Sequence, residues 1–404
     1  MGGGLPWGYC PAVPDPACDV VDVGPSDDVA AALANATPGS TIRLADGDYD
    51  LSGAAWWIDT PDVTLRGASG DASAGVIDGG GGTPSGGVVN VGSADGVVIA
   101  NLTIRRARYH AIHVTANDAS ANGVRVYNVR LIDPGEQALK INHHDNGFYV
   151  DDGEVACSYM ELTPAGRQQV QSYVSSGSTC YTGGVDAHGA RGWTVRDNTI
   201  VGFWCDTDLS EHGIHFWTGS RDTLVLRNRL INNARGIGFG LTEGGRTYAD
   251  DPCGGVTNAS HYGGVVRDNF VVGTDPALFA SPSGMDLGIG MWHACGATVV
   301  HNTVASTEAP FSSIEWRFAD TDVLLVNNYA THQLRERDGA TAVAAGNMED
   351  APAAELADVA GFDLHLAEGA SAIGAGDSQG VALAPEDIDG DPRSDPPDVG
   401  ADQR

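Results

Sequence analysis

The chain has 404 residues, 55 of them glycine, with 53 acidic against 22 basic side chains and a formal net charge of −31. That charge excludes nucleic acid or an anionic membrane as a partner held by bulk electrostatics, and an acidic polymer has to be gripped by a local positive site. Only 19% of residues are charged and few helix-like periods occur, which favours an all-β chain rich in turns.

Residues 1–24 are rich in Pro and Gly, carry Cys10 and Cys18, and read as a tethered lead-in. The opening Met1-Gly2-Gly3-Gly4 reads as a start left after a removed leader, and no signal peptide or membrane span is visible. Asp27-Asp28-Val29-Ala30-Ala31-Ala32-Leu33 predicts a short capping helix, and Pro38-Gly39 turns from it into a strand. A helix turning into a strand closes the open end of a solenoid core.

From about residue 63 to about 329 the chain repeats. A short apolar strand ending in Asn recurs at Asn101, Asn128, Asn198, Asn228, Asn269, Asn302 and Asn327. Asn tolerates left-handed tight turns, so these positions predict stacked coil corners with a structural role. A second frame alternates apolar with polar or glycine residues: Ala111-Ile112-His113-Val114-Thr115, Ala138-Leu139-Lys140-Ile141-Asn142, Gly184-Val185-Asp186-Ala187-His188, Gly213-Ile214-His215-Phe216-Trp217, Gly236-Ile237-Gly238-Phe239-Gly240, Gly288-Ile289-Gly290-Met291-Trp292 and Ser313-Ile314-Glu315-Trp316-Arg317. Stacked as coils about 4.8 Å apart, these strands put His113, Lys140, Asp186, His215, Gly238, Gly290 and Glu315 in one outward column. The neighbouring column holds Asn142, His188, Trp217, Gly240, Trp292 and Arg317.

Two insertions interrupt the period, at about 143–182, with a helix predicted over 162–174, and at about 241–262. Both leave the solenoid just after the polar columns, where long loops serve as walls or lids. Residues 350–404 change character and read as a C-terminal capping segment. Within it Asp387-Ile388-Asp389-Gly390-Asp391 lacks the Glu spacing of a calcium loop. The expected organisation is therefore a lead-in (1–24), a parallel β-helix catalytic domain (25–349) and a cap.

The seven cysteines show no metal-type spacing and fit an exported, secreted or periplasmic protein with two or three disulfides. Cys157 with Cys180 would staple the first insertion and Cys10 with Cys18 the lead-in; Cys205, Cys253 and Cys295 stay unassigned. A monomer is expected.

Of the 22 basic residues 21 are Arg, and the only Lys is Lys140, inside the polar column. Arg serves wherever a permanent charge is enough but cannot accept a proton near neutral pH, so a unique Lys there points to proton transfer. Three readings compete for Lys140, Asp186, His188, His212, His215 and Arg235. The first is a polar ladder on a solvated sheet. The second is a metal site with Asp186, His188 and His215 as ligands, which the neighbouring Lys140 disfavours. The third is abstraction of C5–H beside the carboxylate of a uronic-acid polymer, which needs a base, an acid and neutralisation of the carboxylate. Lys140, His188, His212 and His215 can supply base and acid, Arg235 or Lys140 can neutralise, and Asp186 can orient. His113, Asn142, Trp217, Trp292, Glu315 and Arg317 would line the substrate groove; His143 and His144 read as surface residues.

The opening turns resemble right-handed parallel β-helix proteins of the pectate-lyase type. Asp186-Ala187-His188 resembles the Asp-Pro-His motif of alginate (mannuronan) C5-epimerases, in which a Lys stands on a coil before the motif and an Arg-His pair on a coil after it, as Lys140 and His212 do here. The resemblance implies catalytic roles for Lys140, Asp186, His188 and His212. Ala187 replaces the motif's Pro, Gly183 stands where that family has Tyr, and Glu211 stands where Arg precedes the His; Tyr181 can substitute from the loop. Lys140 with Arg235 equally resembles the Lys base and Arg partner of β-helix polysaccharide lyases. The expected function is an exported lyase cleaving an acidic, uronate-containing polysaccharide by β-elimination, with Lys140 or a His as base. C5 epimerisation is the first alternative and a non-catalytic carbohydrate-binding β-helix the second. Inverting hydrolysis is disfavoured because Asp186 and Glu315 lie several coils apart. The sequence assigns no cofactor; Ca²⁺ or another divalent ion is the candidate.

Overall fold

The computed structural model describes residues 10–13, 19–82, 86–144, 147–175, 177 and 179–404. Three long sheets, one of fourteen strands and two of ten, form the faces of a coil, and every pairing within them is between parallel strands. One coil runs through Gln137–His143, Glu154–Ala156 and Tyr159–Glu161, and the next through Gly183–His188, Thr194–Arg196 and Thr199–Val201. The chain is the all-β, right-handed parallel β-helix that the alternating frame predicts.

Period-two alternation builds the core. Ile112, Leu139, Val185, Ile214, Ile237, Ile289 and Ile314 stack directly on one another inside the coil and are completely buried. Each such side chain contributes about 1.5–3 kcal/mol by leaving water, so a one-residue slip of any strand would both expose it and bury its polar neighbours. At the N-terminal end the helix Val29–Ala34 turns Val29 and Leu33 inward, and the Asp28 carboxylate accepts the Ala31 N–H at 2.9 Å. This cap satisfies a helix donor that would otherwise be unpaired over the open end of the core.

One corner carries an asparagine ladder. Each side-chain amide donates to the next asparagine's side-chain oxygen, from Asn198 to Asn228, Asn269, Asn302, Asn328 and Asn347, at 2.8–3.0 Å. The left-handed residues are those just before it, Asp197, Arg227, Asp268, His301 and Asn327, all with φ between 51° and 57°. The ladder member in the last repeat is therefore Asn328, one residue beyond the expected Asn327. Asn101 and Asn128 form a separate pair at 2.9 Å, and both are themselves left-handed.

The second helix spans Pro164–Ser175, beginning after Leu162 because Pro164, lacking an N–H, is suited to the first turn. Tyr173 on it lies under the Arg108 guanidinium, 3.7 Å from the ring centre, which fixes the helix beside the coils. From the second insertion Arg246 reaches Asp151 at 2.6 and 2.9 Å and lies over the Tyr149 ring, so the two insertions clasp one another.

The closing segment packs along a flank of the solenoid. Phe270, Val272, Ala305 and Tyr329 form an outward cluster with Leu364, Leu366, Ile388, Val399 and Ala401, whereas Val271 and Val304 face the main core. The buried Arg393 guanidinium ties it down on Asp268 at 2.7 Å.

The disulfides join Cys10 to Cys157, Cys180 to Cys205 and Cys253 to Cys295. The expected pairs, Cys157 with Cys180 and Cys10 with Cys18, are corrected: stacking sets Cys180 beside Cys205 on the following coil, while the lead-in docks across the helix, where Tyr127 also bonds the Pro11 carbonyl at 2.6 Å. Cys18 lies outside the described residues. Cys253–Cys295 spans 42 residues and closes the second insertion, so on the loop-entropy estimate it stabilises the fold by about 4 kcal/mol. The double variant Cys253→Ser, Cys295→Ser is expected to melt several degrees lower and to be cut first by protease within residues 241–262; an unchanged melting curve and cleavage pattern would contradict this.

Candidate active site

The register reproduces the predicted columns. His113, Lys140, Asp186, His215, Gly238, Gly290 and Glu315 are successive Cα partners, as are Asn142, His188 and Trp217, and Trp292 with Arg317. A further outward position recurs three residues earlier, where Gln137 pairs with Gly183 and His212 with Arg235. Residues three apart share the groove because the strand turns its corner there: Gly213 faces inward beside Ile214, and a Cβ on it would meet Leu230 at 2.9 Å.

Lys140 is the centre of one group. Its Nζ donates to Asp186 Oδ2, to Tyr181 Oη at 3.2 Å and lies 2.8 Å from His188 Nε2. An ammonium has three N–H donors, and three partners surround it. Tyr181 Oη donates to Asp186 Oδ2 at 3.0 Å, and Trp217 Nε1 donates to Oδ1 at 2.8 Å, so the carboxylate is saturated although it is 1% exposed. Burial works against that negative charge, but Lys140, then His188 and His215, outweigh it and hold Asp186 well below the usual carboxylate range. Burial pushes the Tyr181 phenol up, reinforced by the Asp186 and Glu211 carboxylates, so it keeps its proton. Burial also pulls His188 below the ordinary imidazole value, and Lys140 adds to the effect, which leaves a neutral ring at pH 7. The group thus contains a cation, a proton donor and a proton acceptor within hydrogen-bond reach of one atom.

The alternative reading, a metal set of Asp186, His188 and His215, meets Lys140 in the structure. Lys140 Nζ stands between Asp186 Oδ2 and His188 Nε2, where an ion would have to sit, and their ligand atoms do not gather within the 4.8 Å that holds Glu211, His212 and His215 together.

Glu211, His212 and His215 form the second group, on the next coil. His215 is wholly buried; its Nδ1 is 2.9 Å from Glu211 Oε2 and 3.6 Å from Asp186 Oδ1, and its Nε2 is 3.3 Å from the Gly240 carbonyl oxygen. His212 Nδ1 is 3.5 Å from the same Glu211 oxygen. Burial lowers His212 to about 3 and His215 adds to it, while burial opposes and the two rings override a lowered Glu211. The His212 ring occupies the space above Gly238, where a Cβ would approach its Nε2 to 2.6 Å. Gly183 gives Glu211 its place in the same way, since a Cβ there would lie 3.1 Å from the Glu211 Cβ. Two departures from the epimerase pattern, Gly183 and Glu211, are thus one packing solution.

The remaining predicted residues make no hydrogen bond to Lys140. Arg235 is three coils farther on, roughly 14 Å at the usual strand spacing, and its Nε is bonded to Asp286 at 2.7 Å. Trp292 donates Nε1 to Glu315 at 2.8 Å; Glu315, wholly buried, also accepts from Ser312 and Arg337. Arg317 is paired with Asp338. His113 Nε2 bonds the Asn142 side-chain oxygen one coil before Lys140. Trp217 is stacked parallel on His215 with centroids 5.2 Å apart and meets His188 edge-on, so one of its faces is already covered. His144 is exposed and His143 half-buried. One platform was not foreseen: Trp57, 44% exposed, stands in the Lys140 column three coils earlier, through Asn90 and His113. Its alternation partners Trp56 and Ile58 are buried, which is the signal that could have found it.

The fold is a right-handed parallel β-helix, and along one of its sheets runs a row of polar, histidine-rich side chains. No protein-family model and no curated protein matches the sequence. Among solved structures, an alginate lyase from Paenibacillus sp. str. FPU-7 is similar with a TM-score of 0.56 at 15% identity, covering 80% of this chain and 99% of that one. Pectate lyase Pel9A is similar with a TM-score of 0.49 at 14% identity, covering 95% of this chain and 96% of its own. At these identities the likeness is one of fold. No helix among the described residues is long and apolar enough to cross a membrane.

Proposed function

We propose that the chain is an exported polysaccharide lyase cleaving an acidic, uronate-containing polymer by β-elimination at Lys140, Tyr181, Asp186 and His188. The observation that carries this reading is the convergence of Asp186, Tyr181 and His188 on the one lysine nitrogen of the chain. Lys140 faces the uronate carboxylate and offsets its charge, which makes C5–H acidic. When substrate binds, the Lys140 N–H that points at His188 turns to the uronate carboxylate and frees the Nε2 lone pair; His188 Nε2 then takes the C5 proton, the C–H electron pair forms the C4=C5 bond, the C4–O4 bond breaks, and the Tyr181 hydroxyl protonates O4. Asp186 holds lysine and phenol in place, and the nearby Nζ stabilises the phenolate left behind. Three disulfides support an oxidising, extracytoplasmic location. The fold likeness to an alginate lyase puts alginate at the head of the substrate panel.

C5 epimerisation uses the same first step and differs in where the Tyr181 proton goes, to C5 instead of O4. The test is ultraviolet absorbance of a 4,5-unsaturated uronate on incubation with alginate, pectate, glucuronan and glycosaminoglycans. Absorbance on at least one polymer is expected; none on any would reject elimination for that panel. The base must be unprotonated, and His188 is held below its ordinary value, so activity should persist below about pH 6.5 and fall only as pH drops through the depressed His188 value. An acid limb above pH 6.5 would exclude His188 as the base.

A further inference from the structure

We propose that Glu211, His212 and His215 bind one divalent transition-metal ion of the Zn²⁺ type, through Glu211 Oε2 and the two Nδ1 atoms. The inference stands independently of the lyase reading, which uses neither histidine.

The ligand atoms already have the spacing. Bonds of about 2.0–2.2 Å in a tetrahedral shell put neighbouring ligand atoms about 3.4 Å apart. Here Oε2 lies 2.9 Å from His215 Nδ1 and 3.5 Å from His212 Nδ1, and all three atoms fall within 4.8 Å of one another.

The surroundings of the His215 ring are the second observation. The ring is 0% exposed, and its Nδ1, 2.9 Å from Glu211 Oε2, has no hydrogen-bond partner. Its Nε2 lies 3.3 Å from the Gly240 carbonyl oxygen, which can only accept. An ion shared by Nδ1 and Oε2 would engage the unpartnered nitrogen. An N–H donated outward to a backbone carbonyl is also the arrangement that orients metal-bound imidazoles.

The donor set selects the ion. Two imidazoles and one carboxylate suit Zn²⁺, Co²⁺ or Ni²⁺, whereas Ca²⁺ takes six or more oxygens. Asp186 Oδ1, 3.6 Å from His215 Nδ1, adds negative charge on one side. The neighbouring cations are each paired with a carboxylate, Lys140 with Asp186 and Arg235 with Asp286.

The test uses the full chain, stripped with chelator and titrated with Co²⁺ alone. One Co²⁺ per chain is expected, with the visible d–d absorption of a low-coordinate histidine site, displaced by Zn²⁺. A second cluster, His365 with Asp389 and Asp402, can also gather around an ion, so His365→Asn serves as control and should keep the band. Glu211→Gln, which keeps shape and removes the charge, should weaken binding at least tenfold. Absence of both band and stoichiometric binding in the parent would overturn the proposal, as would loss of the band in His365→Asn with retention in Glu211→Gln. If Glu211→Gln does not fold, the parent and His365→Asn still decide.

Discussion

Replacing Lys140 by Arg should lower turnover by about a thousandfold while leaving the fold intact. Three partners converge on the single Nζ atom from different directions, and the tetrahedral ammonium has one N–H for each. A guanidinium is larger and planar; it can keep the Asp186 contact but cannot direct three donors from one point. The charge on Asp186 stays compensated, so the melting temperature should change by only a few degrees. Misplaced electrostatic stabilisation combined with a disturbed proton-transfer pair costs about 10²–10⁴ in rate. Initial rates on the best polymer of the panel, beside thermal melting of both proteins, check this. A fully active Lys140→Arg variant would contradict the role given to Lys140, since any cation at this place would then be sufficient.

Asp186→Asn is expected to act on stability as well as on rate. Removing the carboxylate leaves Lys140 buried beside neutral partners, and breaking a buried ion pair from one side costs about 3–5 kcal/mol. The pH dependence has a definite sign. Asp186 is held below its unfolded value, so its contribution is complete above about pH 4 and is lost as pH falls through the depressed folded value. The stability difference between parent and variant should therefore be full at neutral pH and shrink only in acid. Denaturant midpoints at a series of pH values measure it; a difference that grows on acidification would contradict the assignment of Asp186 as the buried anion.

Much of this arrangement is legible in the sequence because strand alternation is strict. The inward row from Ile112 to Ile314 fixes every register, and once registers are fixed Lys140, Asp186 and His215 have to be neighbours. Corners are less legible. The ladder passes through Asn328, since the left-handed turn is taken by Asn327, and a run of two asparagines does not reveal which one turns. The disulfides were misread because sequence proximity was the only available guide, whereas stacking brings Cys180 to Cys205 and the lead-in to Cys157. Glu211 stood out only as a departure from the epimerase pattern. Its role depends on two rings and on the space above Gly183 and Gly238, none of which period or spacing encodes. Arg317 reads as a substrate contact from its column position and Arg235 as a carboxylate-neutralising group from its resemblance to the Arg partner of β-helix lyases, but their partners Asp338 and Asp286 come from other strands or loops.

The central claim is that this groove removes a proton from C5 of a uronate. It is tested most directly by incubating the protein with alginate in D₂O and following the sugar by proton NMR. The account predicts an olefinic H4 signal growing with time in the parent and absent in Lys140→Arg. Deuterium entering C5 without an olefinic signal would keep proton abstraction and assign epimerisation. An unchanged spectrum with alginate and with every other uronate polymer of the panel would contradict the claim.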